Sequence, residues 1–392
     1  MKSMNLFGDV KSKETTKSKE TTNQLPPAPI QDENGNLTFG LESTYSLNVN
    51  SEEERERVKE YVNSNTLAKH DWFKEETGEK HWVLYNTEMY EIDYDMYVGR
   101  YLHYREDCGL VPIIPINATS CFFMFSRYET LIQLDFNNFN TNNIIDMAGM
   151  FYCCFELIKL DLSNFNTSGV TTMNEMFSGC ESLTQLDLSS FDTGSVIDMN
   201  SMFRECGSLI KLDLSNFNTG NVTDIRHMFR ECKSLSQLNL SSFNTGNVTD
   251  ISSMFYNCES LNQLDLSSFD TGNVIEMNSM FYGCVSLTWL DISNFDTSHV
   301  TNMFCMFLYC NSLTQLDLRN FNTSSVDDID FMFGHCKSLR DIYISNHWST
   351  DKVTYAKYVF KECCSLPNFN QKKTGFEMAK PIEEGGYLTL KK

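Results

Sequence analysis

A chain of 392 residues is longer than an ordinary single domain unless it is built of repeats, which have no upper size. Its composition is that of a globular protein, 41% hydrophobic and 13% aromatic with only 7 prolines. The formal net charge of −21 sets it against nucleic-acid backbones and anionic membrane surfaces, both of which would repel it.

Residues 1–40 are rich in Lys, Thr, Glu, Pro and Asn and poor in large apolar groups, so they cannot offset their own ordering entropy and are expected to be disordered. This segment has lysines but no apolar stretch of a secretory signal, which on sequence alone points to retention in the cytoplasm. No apolar run of about 18 residues occurs anywhere, so no membrane span is expected. Residues 41–120 differ. Ser51 followed by three glutamates reads as a capping box opening a helix to about Asn63. The segment His81–Tyr85 and the tyrosine-rich stretch Met89–Tyr104 alternate as strands do. A small α+β element is expected here, capping the apolar end of the region C-terminal to it.

From about residue 121 the sequence repeats. Cys154, Cys180, Cys206, Cys232, Cys258, Cys284, Cys310 and Cys336 are 26 residues apart, and Phe125 to Phe333 keep the same step, with Phe360 following at 27. The unit reads S-L-x-x-L-D-L-S-x-F-[DN]-T-x-x-V-x-[DE]-M-x-x-M-F-x-x-C. In LIKLDL (209–214) the leucines at alternate positions predict a short strand with an inward face. A turn follows at Asn216 and Asn218–Gly220. TDIRHMF (223–229) then starts on an N-cap type of residue and spaces its apolar side chains as a helix of one or two turns would.

One coil cannot bury its own apolar face, but neighbours stacked about 4.8 Å apart in a parallel ladder bury a continuous core. A period of 26 and the strand pattern L-x-x-L-x-L fall in the leucine-rich-repeat class. The expected fold is therefore an α/β solenoid, a right-handed coil of parallel strands and short helices. About nine repeats would occupy 121–370, with the α+β cap before them and a C-terminal cap or tail over 371–392.

The segments LDLSSFDTGNVIEMNSMF (264–281) and LDISNFDTSHVTNMFCMF (290–307) resemble the Mycoplasma-type, BspA-like leucine-rich repeats of bacterial surface proteins. The resemblance covers about 121–370. SLPNFN (365–370) with EGGY (384–387) is similar to the way such arrays end. It implies a cell-surface or secreted protein that works in adhesion or protein binding.

Positions constant from coil to coil answer to stacking: Leu183, Leu186, Leu188, Phe191, Val196, Met199, Met202, Phe203, Cys206 and their equivalents. The column cysteines are expected to be buried free thiols acting as small hydrophobes. Cys153, Cys305 and Cys363 stand outside that column and are expected to be accessible. No metal-binding spacing is present.

Positions that change are free to recognise something. The row Asp135, Asp161, Asp187, Asp213, Asp265, Asp291 and Asp317, interrupted by Asn239, lies between inward leucines and so faces outward. Like charges on adjacent strands repel, which leaves two readings: satisfaction by flanking serines with Lys159 and Lys211, or a stripe that attracts a cation such as Ca²⁺ or a basic partner. Arg204, Arg226, Arg230, Tyr256 and Tyr282 are expected along one side, and such residues dominate interface hot spots. Trp289 replaces the Gln or Lys found at equivalent positions and is the foremost single contact candidate. No phosphate-binding, dinucleotide, metalloprotease or nucleophile-elbow motif occurs. The expected function is thus non-enzymatic binding of a protein or glycan on the variable face, without cofactor or nucleic acid. The alternative is a structural or scaffolding repeat protein without a specific ligand.

Overall fold

The computed structural model describes residues 119–127, 136 and 139–391, together with short strands ahead of them. Those strands are β1 (Ile30–Gln31), β2 (Leu37–Thr38), β3 (Trp82–Tyr85), β4 (Tyr101–Arg105) and β5 (Gly109–Ile113). The chain divides into two compact units, residues 1–45 and 46–392. In the first, β1 and β2 pair antiparallel. In the second, β3, β4 and β5 pair antiparallel in chain order. The helix expected over 51–63 and most of segment 1–40 lie outside the described residues.

The repeats form a parallel-strand solenoid. Its strands are β6 (Lys159–Leu160), β7 (Gln185–Leu186), β8 (Lys211–Asp213), β9 (Gln237–Asn239), β10 (Gln263–Asp265), β11 (Trp289–Asp291), β12 (Gln315–Leu318) and β13 (Asp341–Ile344). Each begins 26 residues after the one before, and pairing keeps that register, as in Leu212 with Leu238 and Leu264 with Leu290. Among the described residues eight strands bound seven full turns, where about nine repeats were expected; the preceding leucine segment, near 131–136, lies largely outside the described residues.

The interior is a set of columns. Phe125, Phe151, Phe177, Phe203, Phe229, Phe255, Phe281, Phe307, Phe333 and Phe360 stack with ring centroids 5.4–5.8 Å apart. Leu209, Val222, Met228 and Cys232 and their equivalents are buried beside them. Each fully buried large side chain contributes about 1.5–3 kcal/mol and each ring pair about 0.5–1.5 more, before chain entropy is subtracted.

The short helices are absent among the described residues of the repeats; only two 3-10 turns occur, Phe376–Met378 and Ile382–Glu384. The M-x-x-M-F-x-x-C segment instead alternates two kinds of hydrogen bond. Met176 N–H donates to Met173 O (3.2 Å) and Cys180 N–H to Phe177 O (3.1 Å), closing turns within the coil. Glu175 N–H donates to Asn200 O (2.8 Å), Phe177 N–H to Met202 O (2.9 Å) and Gly179 N–H to Arg204 O (2.8 Å), crossing to the next coil. An α-helix would direct these donors back along its own segment and leave none for the neighbour. The geometry requires two residues per coil with positive φ, for example Ser201 (55°) and Glu205 (61°), then His227 (58°) and Glu231 (63°). The left-handed region costs about 1–2 kcal/mol for an ordinary residue, offset here by the inter-coil bonds.

The corners are made by side chains that mimic backbone. Asp213 Oδ1 accepts the N–H of Ser215 (3.1 Å), Asn218 Oδ1 that of Gly220 (3.2 Å), and Asp224 Oδ1 that of Arg226 (3.0 Å). Each is an Asx turn, the reason Asp and Asn favour such positions. Only one side-chain oxygen is needed, so Asp and Asn interchange along these columns.

Between two corners runs a threonine ladder. Buried Thr219 donates its hydroxyl to Asn244 O (2.9 Å) and accepts Asn244 N–H (2.8 Å), and Thr193 does the same with Asn218. The pattern recurs at Thr141, Thr167, Thr271, Thr297 and Thr323. At the far end β14 (Thr389–Leu390) pairs parallel with β13. Tyr387 lies edge-on over Phe360 at 5.3 Å and ends the phenylalanine column.

Candidate functional site

The cysteine column is interior, and its members have more than a space-filling role. Each thiol donates to the carbonyl of a phenylalanine one coil back, as in Cys206 Sγ to Phe177 O (3.2 Å) and Cys232 Sγ to Phe203 O (3.0 Å). Burial pushes the Cys232, Cys284 and Cys336 thiols up to about 12, which removes thiolate reactivity at neutral pH. Cys363 was expected outside this column but belongs to it: it is buried and donates to Phe333 O (2.8 Å). The last coil carries one extra residue, so the register moves to 27 for Cys363 just as for Phe360. Cys305 is also buried, Cys153 half-buried and Cys364 exposed.

Two outward surfaces hold the candidate residues. On the strand side, Asp187, Asp213 and Asp265 are exposed and Asp291 is half-buried. Their row has a structural cause. The serine two residues on, through its N–H and hydroxyl together, holds Asp161, Asp187, Asp213 and Asp265 below the usual carboxylate range. The satisfying group is thus chiefly the local serine rather than a lysine, although Lys211 adds its charge at Asp213. Among the described residues no three or more His, Cys, Asp or Glu side chains converge as a metal would need.

Trp289 is 47% exposed, on β11 beside Gln263 of β10. It forms one end of an open concavity of about 610 Å³ over β8–β11, with Lys211, Asp213, Gln237, Asn239, Gln263 and Asp265 along its floor and rim. The structure therefore brings Trp289, Asp213 and Asp265 together.

The turn side carries the arginines and tyrosines. Arg230 lies over the Tyr256 ring at 4.1 Å, Tyr256 stacks on Tyr282 at 4.3 Å, Tyr282 meets Tyr309 edge-on at 5.7 Å, and Tyr309 stacks on His335 at 4.6 Å. A cation–aromatic ladder thus crosses five coils. Arg204 is held by Glu205 (2.8 Å), while Arg226 forks onto Asp224 (2.6 Å) and reaches Asp250 at 3.8 Å. Burial, then the charges of Arg230, Arg204 and Arg226, hold the His227 imidazole below its usual value, so the three arginines share one patch. The expectation that these five residues lie along one side holds for this patch and ladder, with Arg204 and Arg226 already ion-paired. Tyr309 and His335 are also variable positions of the sequence, but they sit one position past the column of Tyr282; only the stacked rings show that the ladder changes column.

A family model described as Mycoplasma protein of unknown function, DUF285, matches residues 119–212, 208–290 and 286–383. The chain belongs to this family. It is a BspA-like leucine-rich-repeat protein, and the DUF285 match names no catalytic activity. No curated protein matches the chain. Among solved structures, a leucine-rich repeat protein from Bacteroides ovatus is 16% identical, with a TM-score of 0.42, covering 72% of this chain and 79% of that one. The functional domain of InlJ from Listeria monocytogenes, described as including a cysteine ladder, is 15% identical, with a TM-score of 0.23 and coverage of 62% and 51%. TLR13 in complex with ssRNA13 is 14% identical, with a TM-score of 0.21 and coverage of 64% and 45%. Among the described residues of this DUF285 protein, no helix is long and apolar enough to cross a membrane.

Proposed function

We propose that this protein is a non-enzymatic binding module that captures a protein or glycan on the outward columns of its solenoid. The observation that carries the reading is the division of each coil. Inward columns repeat the same side chain, whereas several outward columns vary and gather an exposed Trp289, an arginine–tyrosine ladder and a polar concavity. Exposed aromatics and arginines on a rigid scaffold are the usual anchors of recognition. An adhesin-like surface role is the setting that the family resemblance suggests.

The test is affinity capture with the immobilised full-length chain, its Trp289→Ala variant and an Arg230→Ala/Tyr256→Ala/Tyr282→Ala variant. One variant is expected to reduce recovery of a specific partner by about tenfold or more, as loss of an anchor does. Equal recovery by all three chains, or ordered self-association with no captured partner, would favour the scaffold reading instead.

A further inference from the structure

In the concavity over β8–β11 a single aromatic ring stands among planar polar groups, three of which are already held in place. We propose that this concavity is a subsite for a neutral or amino-sugar polysaccharide, with one sugar ring lying on the face of Trp289. This rests on the binding reading above and names its ligand class.

Four observations point to sugar rather than to a folded protein. First, the indole is 47% exposed and sits at a strand position that other coils fill with Gln or Lys, as at Gln237, Gln263 and Lys211. Its face carries the negative side of the ring quadrupole, which suits the polarised C–H groups on the flat side of a pyranose. Second, the groups beside it match vicinal hydroxyls. Among the described residues the Gln237 and Gln263 amides have no hydrogen-bond partner, and they offer donor and acceptor side by side. Asp213, Asn239 and Asp265 have one oxygen fixed by Ser215, Ser241 and Ser267 (2.9–3.1 Å), so their carboxylate or amide planes are set before a ligand arrives. Such pre-organisation lowers the cost of binding.

Third, the parallel register sets Asp213 beside Asn239 and Asp265 beside Asp291, and Gln237 and Gln263 line the same concavity. A polymer crossing the strands meets similar groups at each rung, about 4.8 Å apart. A protein hot spot needs a desolvated apolar pocket, whereas one ring amid polar side chains makes a wet contact. Fourth, Asp187, Asp213, Asp265 and Asp291 outnumber Lys159 and Lys211 on this face. The resulting field repels anionic sugars and favours neutral or amino sugars.

The experiment titrates the full-length chain with mannan, a soluble β-glucan, chitosan oligomers and hyaluronan, reading indole fluorescence and calorimetric affinity. At least one of the first three is expected to bind, and hyaluronan to bind more weakly than it. Trp289→Ala should weaken binding about tenfold and Trp289→Phe about threefold, while Tyr355→Ala, an exposed aromatic outside both candidate surfaces, should leave it unchanged. Circular dichroism confirms that each variant is folded. Absence of binding to all three, or binding that Trp289→Ala leaves intact, overturns the proposal. If affinity capture still recovers a protein that Trp289→Ala or the turn-side variant loses, the sugar assignment fails alone. If capture fails as well, the broader binding reading fails with it.

Discussion

On the strand side, Leu212, Leu264 and Leu316 are buried, and Leu186, Leu238 and Leu290 partly buried, from ordinary extended backbone in parallel strands. On the turn side, Met228 and Phe229 are equally buried, but from a backbone with positive φ at His227 and Glu231. The strand side follows local propensity. The turn side opposes it twice per coil, and the opposition is sustained by inter-coil hydrogen bonds, the phenylalanine stack and a thiol that closes on the preceding carbonyl. The comparison shows that a solenoid can hold a locally unfavourable conformation when each copy is braced by its neighbours.

That contrast can be broken most severely with alkali, because the titrating thiols all lie in the turn-side column. An unfolded thiol ionises near its ordinary 9, while burial raises Cys180, Cys206, Cys232, Cys258, Cys284, Cys310, Cys336 and Cys363 above it. Above pH 9 the unfolded state therefore holds fewer protons than the native one. Stability from these groups is complete below pH 9 and is lost as pH rises toward the folded value, about 12 for Cys232. Each thiol removes about 1.4 kcal/mol per pH unit, so eight together remove on the order of 10. Urea unfolding in reductant should show a steep fall in midpoint between pH 9 and 10.5, and Cys232→Ala should lessen its slope. A flat profile would show that the column does not hold buried, protonated thiols.

A smaller effect tests the corner between the two sides. Thr219→Val keeps the shape but strands the N–H and C=O of Asn244, at a cost of about 1–3 kcal/mol, whereas Thr219→Ser should retain most stability. Equal midpoints for the valine and threonine proteins would remove the ladder from the account. The smallest effect sharpens the comparison on the turn side itself. Ser253 is buried with φ 54°, so Ser253→Gly relieves the left-handed penalty against glycine's greater unfolded entropy. A gain of up to about 1 kcal/mol in thermal unfolding is expected; a loss would mean that the serine side chain supports the turn.

Much of the interior is legible in the sequence. A 26-residue step in Leu, Phe, Met and Cys specifies stacked columns, because side chains that fill one layer must recur in the next. The helix expectation fails at the M-x-x-M-F segment for a definite reason. Met173, Met176 and Phe177 are spaced as one face of a helix would be, and apolar spacing reports which side chains point inward, not where the N–H groups point. The invariant threonine is visible in the unit but reads as turn composition, since one sequence shows no partner 25 residues on. Cys363 is misplaced by a strict 26-residue count, because the one-residue extension of the last coil shifts it together with Phe360.

For the candidate surfaces, the sequence picks out Trp289 and the arginine–tyrosine set by their departure from the repeat, and the aspartate row by its recurrence. The amino-acid order by itself determined the period, the inward columns and the acidic outward row, since these depend on which residues recur and at what distance. Only the tertiary structure decided the left-handed backbone, the hydroxyl and thiol bridges, the ladder that steps from Tyr282 to Tyr309, and the concavity beside Trp289. Those features depend on the direction of hydrogen-bonding groups between neighbouring coils, a relation that exists only once the coils are stacked.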